Sequence, residues 1–272
     1  QHQRQEWFGC ACCPSNISRF IPSVPGYVYA KTADDIFVNI YVDNTAAIDK
    51  GGNEIELIQE TRYPWEGKVK ITVNPTTDER FGIKLRIPGW ARNDAIPGEL
   101  YNFAEQEEVS PVLKVNGKTL KIKNDDGYAE IKRKWEKRDI IELELPMPVR
   151  RLIADDRVEA DRNKFALQRG PIVYCAEWPD NPEAQVLSLV YDPEAKVEEQ
   201  FIEDMLNGAV VLITESRPAK RKLNNDIVTG EAVESLLITY HLWNNRGRGE
   251  MKVWLPDTAS AARPMPAPAI AG

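Results

Sequence analysis

The stretch Asp35-Ile36-Phe37-Val38-Asn39-Ile40-Tyr41-Val42 sets Ile36, Val38, Ile40 and Val42 at alternate positions, the period of a strand with one buried face. The same period returns downstream in Ile55-Glu-Leu-Ile-Gln-Glu-Thr61, Val69-Lys-Ile-Thr-Val73 and Phe81-Gly-Ile-Lys-Leu-Arg-Ile87. Turn chemistry separates these runs: Asp49-Lys-Gly-Gly-Asn53, Trp65-Glu-Gly67, Asn74-Pro75 and Pro88-Gly89. Val112 to Leu120 reads as a hairpin on Asn116-Gly117, since both central residues of a tight hairpin turn need positive φ. Tyr128–Trp135 and Asp139–Leu145 add two more alternating runs. Residues 32–150 are thus predicted to form an antiparallel β-sandwich.

Upstream, Pro14 opens a short helix over 17–29, with Ser15 or Asn16 as its cap, and Pro22, Pro25 and Gly26 close it. Downstream, Pro146-Met-Pro148 ends a strand and marks a boundary near 150. Lys164–Glu177 reads as two strands broken at Gly170-Pro171, and Ala209–Thr214, Ser235–His241 and Met251–Pro256 are further strands. Residues 196–207 are predicted as a short helix capped by Gly208. A second sandwich is expected over 151–257, and the Ala- and Pro-rich stretch 258–272 reads as a tail or linker.

Of the 272 residues 42% are apolar and 28% charged, enough for one large or two medium domains with real cores. No apolar run reaches the roughly 18 residues of a membrane-spanning helix, so no membrane role is expected. A net charge of −7 argues against nucleic acid as a partner, because phosphate backbones are bound by positive surfaces. Two histidines, His2 and His241, leave little for a His-based triad or metal site. Acid–base chemistry by this chain alone would therefore fall to its carboxylates.

Cys10, Cys12 and Cys13 fall within four residues, and Cys175 stands alone in an apolar run that reads as core. Adjacent cysteines rarely meet disulfide geometry. Clustered thiols suit a soft divalent ion such as zinc, which holds sulfur as thiolate, but they also suit a buried structural pair. The residues alone leave both readings open. Tyr63, Trp65, Trp90, Trp135, Trp243 and Trp254 read as core and packing aromatics rather than a sugar platform. Asp34-Asp35, Glu107-Glu108, Asp125-Asp126 and Asp155-Asp156, like the basic runs Lys132-Arg-Lys134 and Lys220-Arg-Lys222, read as solvated faces.

The string Trp7-Phe-Gly-Cys10-Ala-Cys12-Cys13-Pro-Ser-Asn16 resembles the Cys-Cys-Pro-x-Asn motif of glycoside hydrolase family 127, the β-L-arabinofuranosidases. Four later stretches resemble the family in the same order: Gly52 to Gly67 through Arg62-Tyr-Pro-Trp65, Leu85-Arg-Ile-Pro-Gly-Trp-Ala91, Leu167-Gln-Arg-Gly-Pro-Ile-Val-Tyr-Cys175, and Asn245-Arg-Gly-Arg-Gly-Glu-Met-Lys-Val-Trp254. The resemblance implies an (α/α)6 barrel followed by two β-sandwiches, with residues 1–31 as a short helical remnant of the barrel's end. It implies a retaining glycosidase in which Cys12 is the nucleophile and Cys12 and Cys13 are ligands of Zn2+. It also implies a glycan substrate bearing terminal β-L-arabinofuranosyl or a related sugar. The family's other zinc ligands, a Glu and a Cys one residue apart, and its acid/base Glu lie well upstream of the Cys-Cys pair. Glu6 is too close in sequence to stand for that Glu, so this stretch is expected to be the C-terminal part of such an enzyme, inactive by itself. The alternative is a non-catalytic sandwich module for packing, oligomerisation or glycan contact. A homodimer is among the expected assemblies, and a periplasmic or secreted bacterial location is the expected compartment.

Overall fold

The computed structural model describes residues 9–105, 109–182 and 185–267. Trp7, Phe8, Glu6, His2, Glu107 and Glu108 lie outside them. The described chain is mainly β, with one helix, α1 (Cys12–Ser23), and a single helical turn, α2 (Pro25–Val28), at its start. It divides into two compact units, one of residues 9–93 and 109–147, the other of 94–105 and 148–267.

In the first unit, strands β1 (Tyr29–Lys31), β2 (Asp35–Val38), β3 (Asn44–Lys50), β4 (Asn53–Thr61), β5 (Lys68–Pro75) and β6 (Glu79–Arg86) come first. After β7 (Tyr101–Phe103), which belongs to the other unit, follow β8 (Val112–Val115), β9 (Lys118–Leu120), β10 (Asn124–Asp125), β11 (Tyr128–Trp135) and β12 (Asp139–Glu144). They form two sheets, ordered β1-β2-β6-β11-β10 and β3-β4-β5-β12-β8-β9. Ile36, Val38, Phe81, Ile83, Leu85, Ala129 and Ile131 are buried from the first sheet, and Ile55, Leu57, Ile71, Val73, Leu113 and Ile141 from the second. Each such side chain contributes about 1.5–3 kcal/mol by leaving water. A one-residue slip of β6 would instead bury Arg80, Lys84 and Arg86, so the pattern fixes its register. Trp135 is fully buried and donates its indole N–H to the Phe81 carbonyl at 3.0 Å, which agrees with its reading as core. Asn116 and Gly117 take positive φ between Val115 and Lys118, the hairpin turn their identities predict. One pairing departs from an all-antiparallel plan: β2 and β6 run parallel. The chain crosses to the other sheet for β3–β5 before returning beside β2, a long-range step that local alternation does not encode.

The second unit continues with β13 (Val149–Ala154), β14 (Lys164–Arg169), β15 (Ile172–Glu177), β16 (Leu189–Tyr191), β17 (Glu198–Ile202) and β18 (Ala209–Arg221), then β19 (Ile227–Thr229), β20 (Val233–Thr239), β21 (Met251–Lys252) and β22 (Leu255–Pro256). The path β16-β18-β20-β15-β14-β13-β7 turns at the β14–β15 hairpin around Gly170-Pro171, and β16 packs against β22 across the layers. Cys175, Val211 and Ile238 are fully buried at the centre of one cluster, so Cys175 is the core thiol the sequence suggests. Burial pushes its thiol up to about 12.

Two expectations differ. Residues 198–202 form a strand on β18 rather than a helix, and Leu206, Asn207 and Gly208 turn the chain with positive φ. The open edge of β18 offers backbone partners that outweigh the helical propensity of the Glu-rich segment. Residues 258–267 are held rather than free: Met265 exchanges backbone bonds with Ala219 and Arg221, and Arg263 donates to the Leu187 carbonyl.

Candidate active site

Helix α1 starts two residues before Pro14, so Cys12 and Cys13 are its first residues and Pro14 sits in its first turn, where the missing N–H has no helical partner to lose. Neither Ser15 nor Asn16 caps it. Ala11 precedes the helix, and Ser15 Oγ donates back to the Cys12 carbonyl at 3.1 Å. Pro22 lies in the final turn, before the chain passes into α2.

All three clustered cysteines are free and exposed in this chain. Cys10 donates its S–H toward Cys12 Sγ at 3.4 Å, and the Cys12 and Cys13 sulfurs stand 3.8 Å apart. Two sulfurs on one tetrahedral zinc, each about 2.3 Å from the metal, are about 3.8 Å apart. The Cys12–Cys13 pair therefore fits one edge of a zinc tetrahedron, while the tighter Cys10 contact is that of two thiols. Among the described residues no group of three or more His, Cys, Asp or Glu is arranged to hold a metal. The pair offers two of the four positions.

Elsewhere some of the charged candidates are tied into pairs. Asp155 accepts from Arg157 at 2.7 Å, which holds its carboxyl below the usual range. His241 is exposed on a short 3-10 turn. Arg246, part of a run read only as a loop, reaches Asp180 Oδ1 at 2.7 Å and Glu177 Oε2 at 2.9 Å. Both carboxylates are nearly buried, so this is a strut pinning the loop after β20. Sequence reading missed Glu177 and Asp180, because nothing near them marks a partner 69 and 66 residues away. A groove of about 770 Å³ along β18 is lined by Glu198, Glu215, Glu234, Lys196 and Arg217, and Lys196 already pairs with Glu198 at 2.6 Å.

Comparison with known proteins agrees with the family resemblance. The family model described as "Beta-L-arabinofuranosidase, GH127 middle domain" matches residues 35–147, and that of the "Glycoside hydrolase family 127 C-terminal domain" matches 149–256. The chain is 33% identical over 271 aligned positions to the non-reducing end β-L-arabinofuranosidase of Bifidobacterium longum subsp. longum, covering 92% of this chain and 38% of that protein. A solved GH127 β-arabinofuranosidase superposes with a TM-score of 0.92 at 41% identity, over 98% of this chain and 42% of that one. A GH127 β-L-arabinofuranosidase from Geobacillus stearothermophilus T6 gives 0.82 at 37% identity, over 94% and 39%. The chain thus spans about two-fifths of the length of these relatives.

Proposed function

Because the chain belongs to glycoside hydrolase family 127, whose middle and C-terminal domains it carries, we propose that it serves in retaining hydrolysis of a terminal β-L-arabinofuranosyl or related sugar from plant-type glycans, with Cys12 as nucleophile. The observation that supports the cysteine assignment is the pair of exposed thiols at the start of α1, spaced as co-ligands of one zinc. Bound by Cys12 and Cys13, zinc would hold the sulfur deprotonated at neutral pH.

Cys12 Sγ attacks the anomeric carbon, forming a C–S bond as the bond to the leaving oxygen breaks. That oxygen departs as an alcohol, taking a proton from a general acid. Water then attacks the same carbon, the C–S bond breaks, and the sulfur leaves as thiolate while the now basic partner accepts the water proton. Two displacements at one carbon retain its configuration. The acid/base group and two zinc ligands are contributed from beyond the Cys12–Cys13 pair. Among the described residues no helix is long and apolar enough to cross a membrane. Plant glycans are met outside the bacterial cytoplasm, so the reading carries a periplasmic or secreted location.

The test is Cys12→Ser in a preparation that cleaves an aryl β-L-arabinofuranoside. Turnover should fall by about 10³ or more, since a serine hydroxyl is a far weaker nucleophile at neutral pH. Activity within a few-fold of wild type would remove Cys12 from the mechanism.

A further inference from the structure

Two adjacent strands of the first unit place cations on the same alternate positions. Along β6 the buried residues are Phe81, Ile83 and Leu85, so Arg80, Lys84 and Arg86 project from the other face. Along β11 the buried residues are Ala129, Ile131 and Trp135, and Lys132 and Lys134 project with Glu130. The register puts Lys134 beside Arg80, Lys132 beside Gly82, Glu130 beside Lys84 and Tyr128 beside Arg86. Directly opposed residues share a face, so these side chains form one surface. Strand β2 adds Asp35 beside Gly82 and Phe37 beside Lys84.

On β2, β6 and β11 that surface carries five cations and two carboxylates, and β10 adds Asp125 beside Tyr128, in a chain of net charge −7. Lys84 pairs with Asp35 at 3.4 Å, and Lys134 with Asp78 at 3.1 Å. Arg80, Arg86 and Lys132 are exposed and have no ion pair among the described residues. The opposite sheet of the same unit is different. There Glu60, Lys70, Glu142 and Lys114 alternate across β4, β5, β12 and β8, and the charges cancel row by row. The cationic face is also set in place by its aromatic rings: Lys84 Nζ lies 5.3 Å from the centre of Phe37, and the Arg86 guanidinium 6.0 Å from that of Tyr128. Tyr128 donates to Asn39 at 2.7 Å and meets Phe37 edge to face, so the rings cannot swing away. With cations over the rings, the face binds through charge rather than by stacking a sugar ring.

We propose that this face of β2, β6 and β11 docks an anionic, uronate-bearing glycan strand, a partner distinct from the sugar cleaved at Cys12. Glycan as the partner class rests on the functional reading above, and the acidic character rests on the charge of the face. Each exposed contact is weak and screened by salt, so binding depends on several carboxylates presented along one polymer. Alternate residues on a strand are about 7 Å apart, and neighbouring strands about 5 Å, a spacing that offers a repeating polyanion several points of attachment.

The test is native affinity electrophoresis of the 272-residue chain through gels containing polygalacturonate, neutral arabinan or neither. Polygalacturonate should retard the chain, neutral arabinan should not, and retardation should vanish at about 0.5 M salt. The triple variant Arg80→Gln, Arg86→Gln and Lys132→Gln should bind at least about tenfold more weakly with little change in the melting curve, because all three side chains are exposed and make no ion pair among the described residues, Arg86 touching only the Tyr128 ring. Cys12→Ser should bind like wild type, which separates failure of this inference from failure of the catalytic one. No retardation, equal retardation by arabinan, equal binding to a DNA duplex at the same charge concentration, or full binding by the triple variant would each overturn it.

Discussion

At the scale of single residues, Cys12 and Cys13 are adjacent in sequence, and the proposed function gives them different tasks that single variants can separate. Both sulfurs are placed to share one metal, but only the nucleophile must also reach an anomeric carbon. Cys13→Ser is expected to lower zinc content and turnover together, with turnover partly restored by added zinc. Cys12→Ser should not be rescued by metal at any concentration, and titrating zinc into both variants during an activity assay distinguishes them. The described residues supply two of four ligands, so the 272-residue chain by itself should retain well under one zinc per molecule after dialysis. One tightly held zinc, found by elemental analysis, would mean that a further ligand pair is present. The cysteine motif was legible because its residues are contiguous. Any further ligands of the proposed zinc were not, since a coordination shell gathers side chains from distant segments. The same limit hid the strut of Arg246 with Glu177 and Asp180. Arg246→Ala should cost about 3 kcal/mol in chemical unfolding, because it takes the cation from the Glu177 side chain, 3% exposed, which also accepts from the Asn244 backbone N–H.

At the scale of elements, alternation was a sound guide wherever one face of a strand is buried and the other wet. Strands β4, β5, β6, β11 and β12 fall where period two places them, because the buried rows of Ile, Val, Leu and Phe drive both conformation and register. Pattern reading failed where partner choice decides the element. The 198–202 segment is almost wholly exposed, so no buried row marks it, and only the free edge of β18 makes it a strand. Of the cationic face the sequence shows only the short run Lys132-Arg-Lys134, read as solvated, and Arg133 in it points the other way, its guanidinium over Trp135. Its real members alternate along two strands some 50 residues apart, which no local window joins. Close approach between elements gives a sharper test. A Cβ added at Gly67 would lie 1.8 Å from the Leu145 carbonyl oxygen, a backbone atom that cannot turn aside. Gly67→Ala is expected to lose about 2–4 kcal/mol in urea unfolding, whereas Gly26→Ala, with nothing within 4 Å, should be nearly neutral.

At the scale of the whole molecule, acidity governs the average charge, while buried groups set how stability responds to pH. Lys252 on β21 donates to the Leu187 carbonyl at 3.0 Å, and burial lowers its ammonium from 10.5 to about 8, with Lys164 nearby adding to the effect and Glu250 opposing it. In the folded chain this lysine gives up its proton first. Between about pH 8 and 10.5 the unfolded state therefore binds more protons than the folded state, and this group makes stability rise with pH. Cys175 acts in the opposite sense, since its raised pKa keeps the folded thiol protonated above pH 9 while the unfolded thiol ionises. Wild type by itself would show only the sum of the two. Comparison with Lys252→Met removes the cysteine contribution, which both proteins share. Urea midpoints measured at intervals from pH 7 to pH 10 should show wild type gaining on the variant above about pH 8. The gain should be modest, because the lysine keeps part of its hydration and the neutral methionine has no charge to desolvate. Parallel curves through that window would mean that the Lys252 ammonium stays charged in the folded protein, with solvent reaching it past the Leu187 carbonyl.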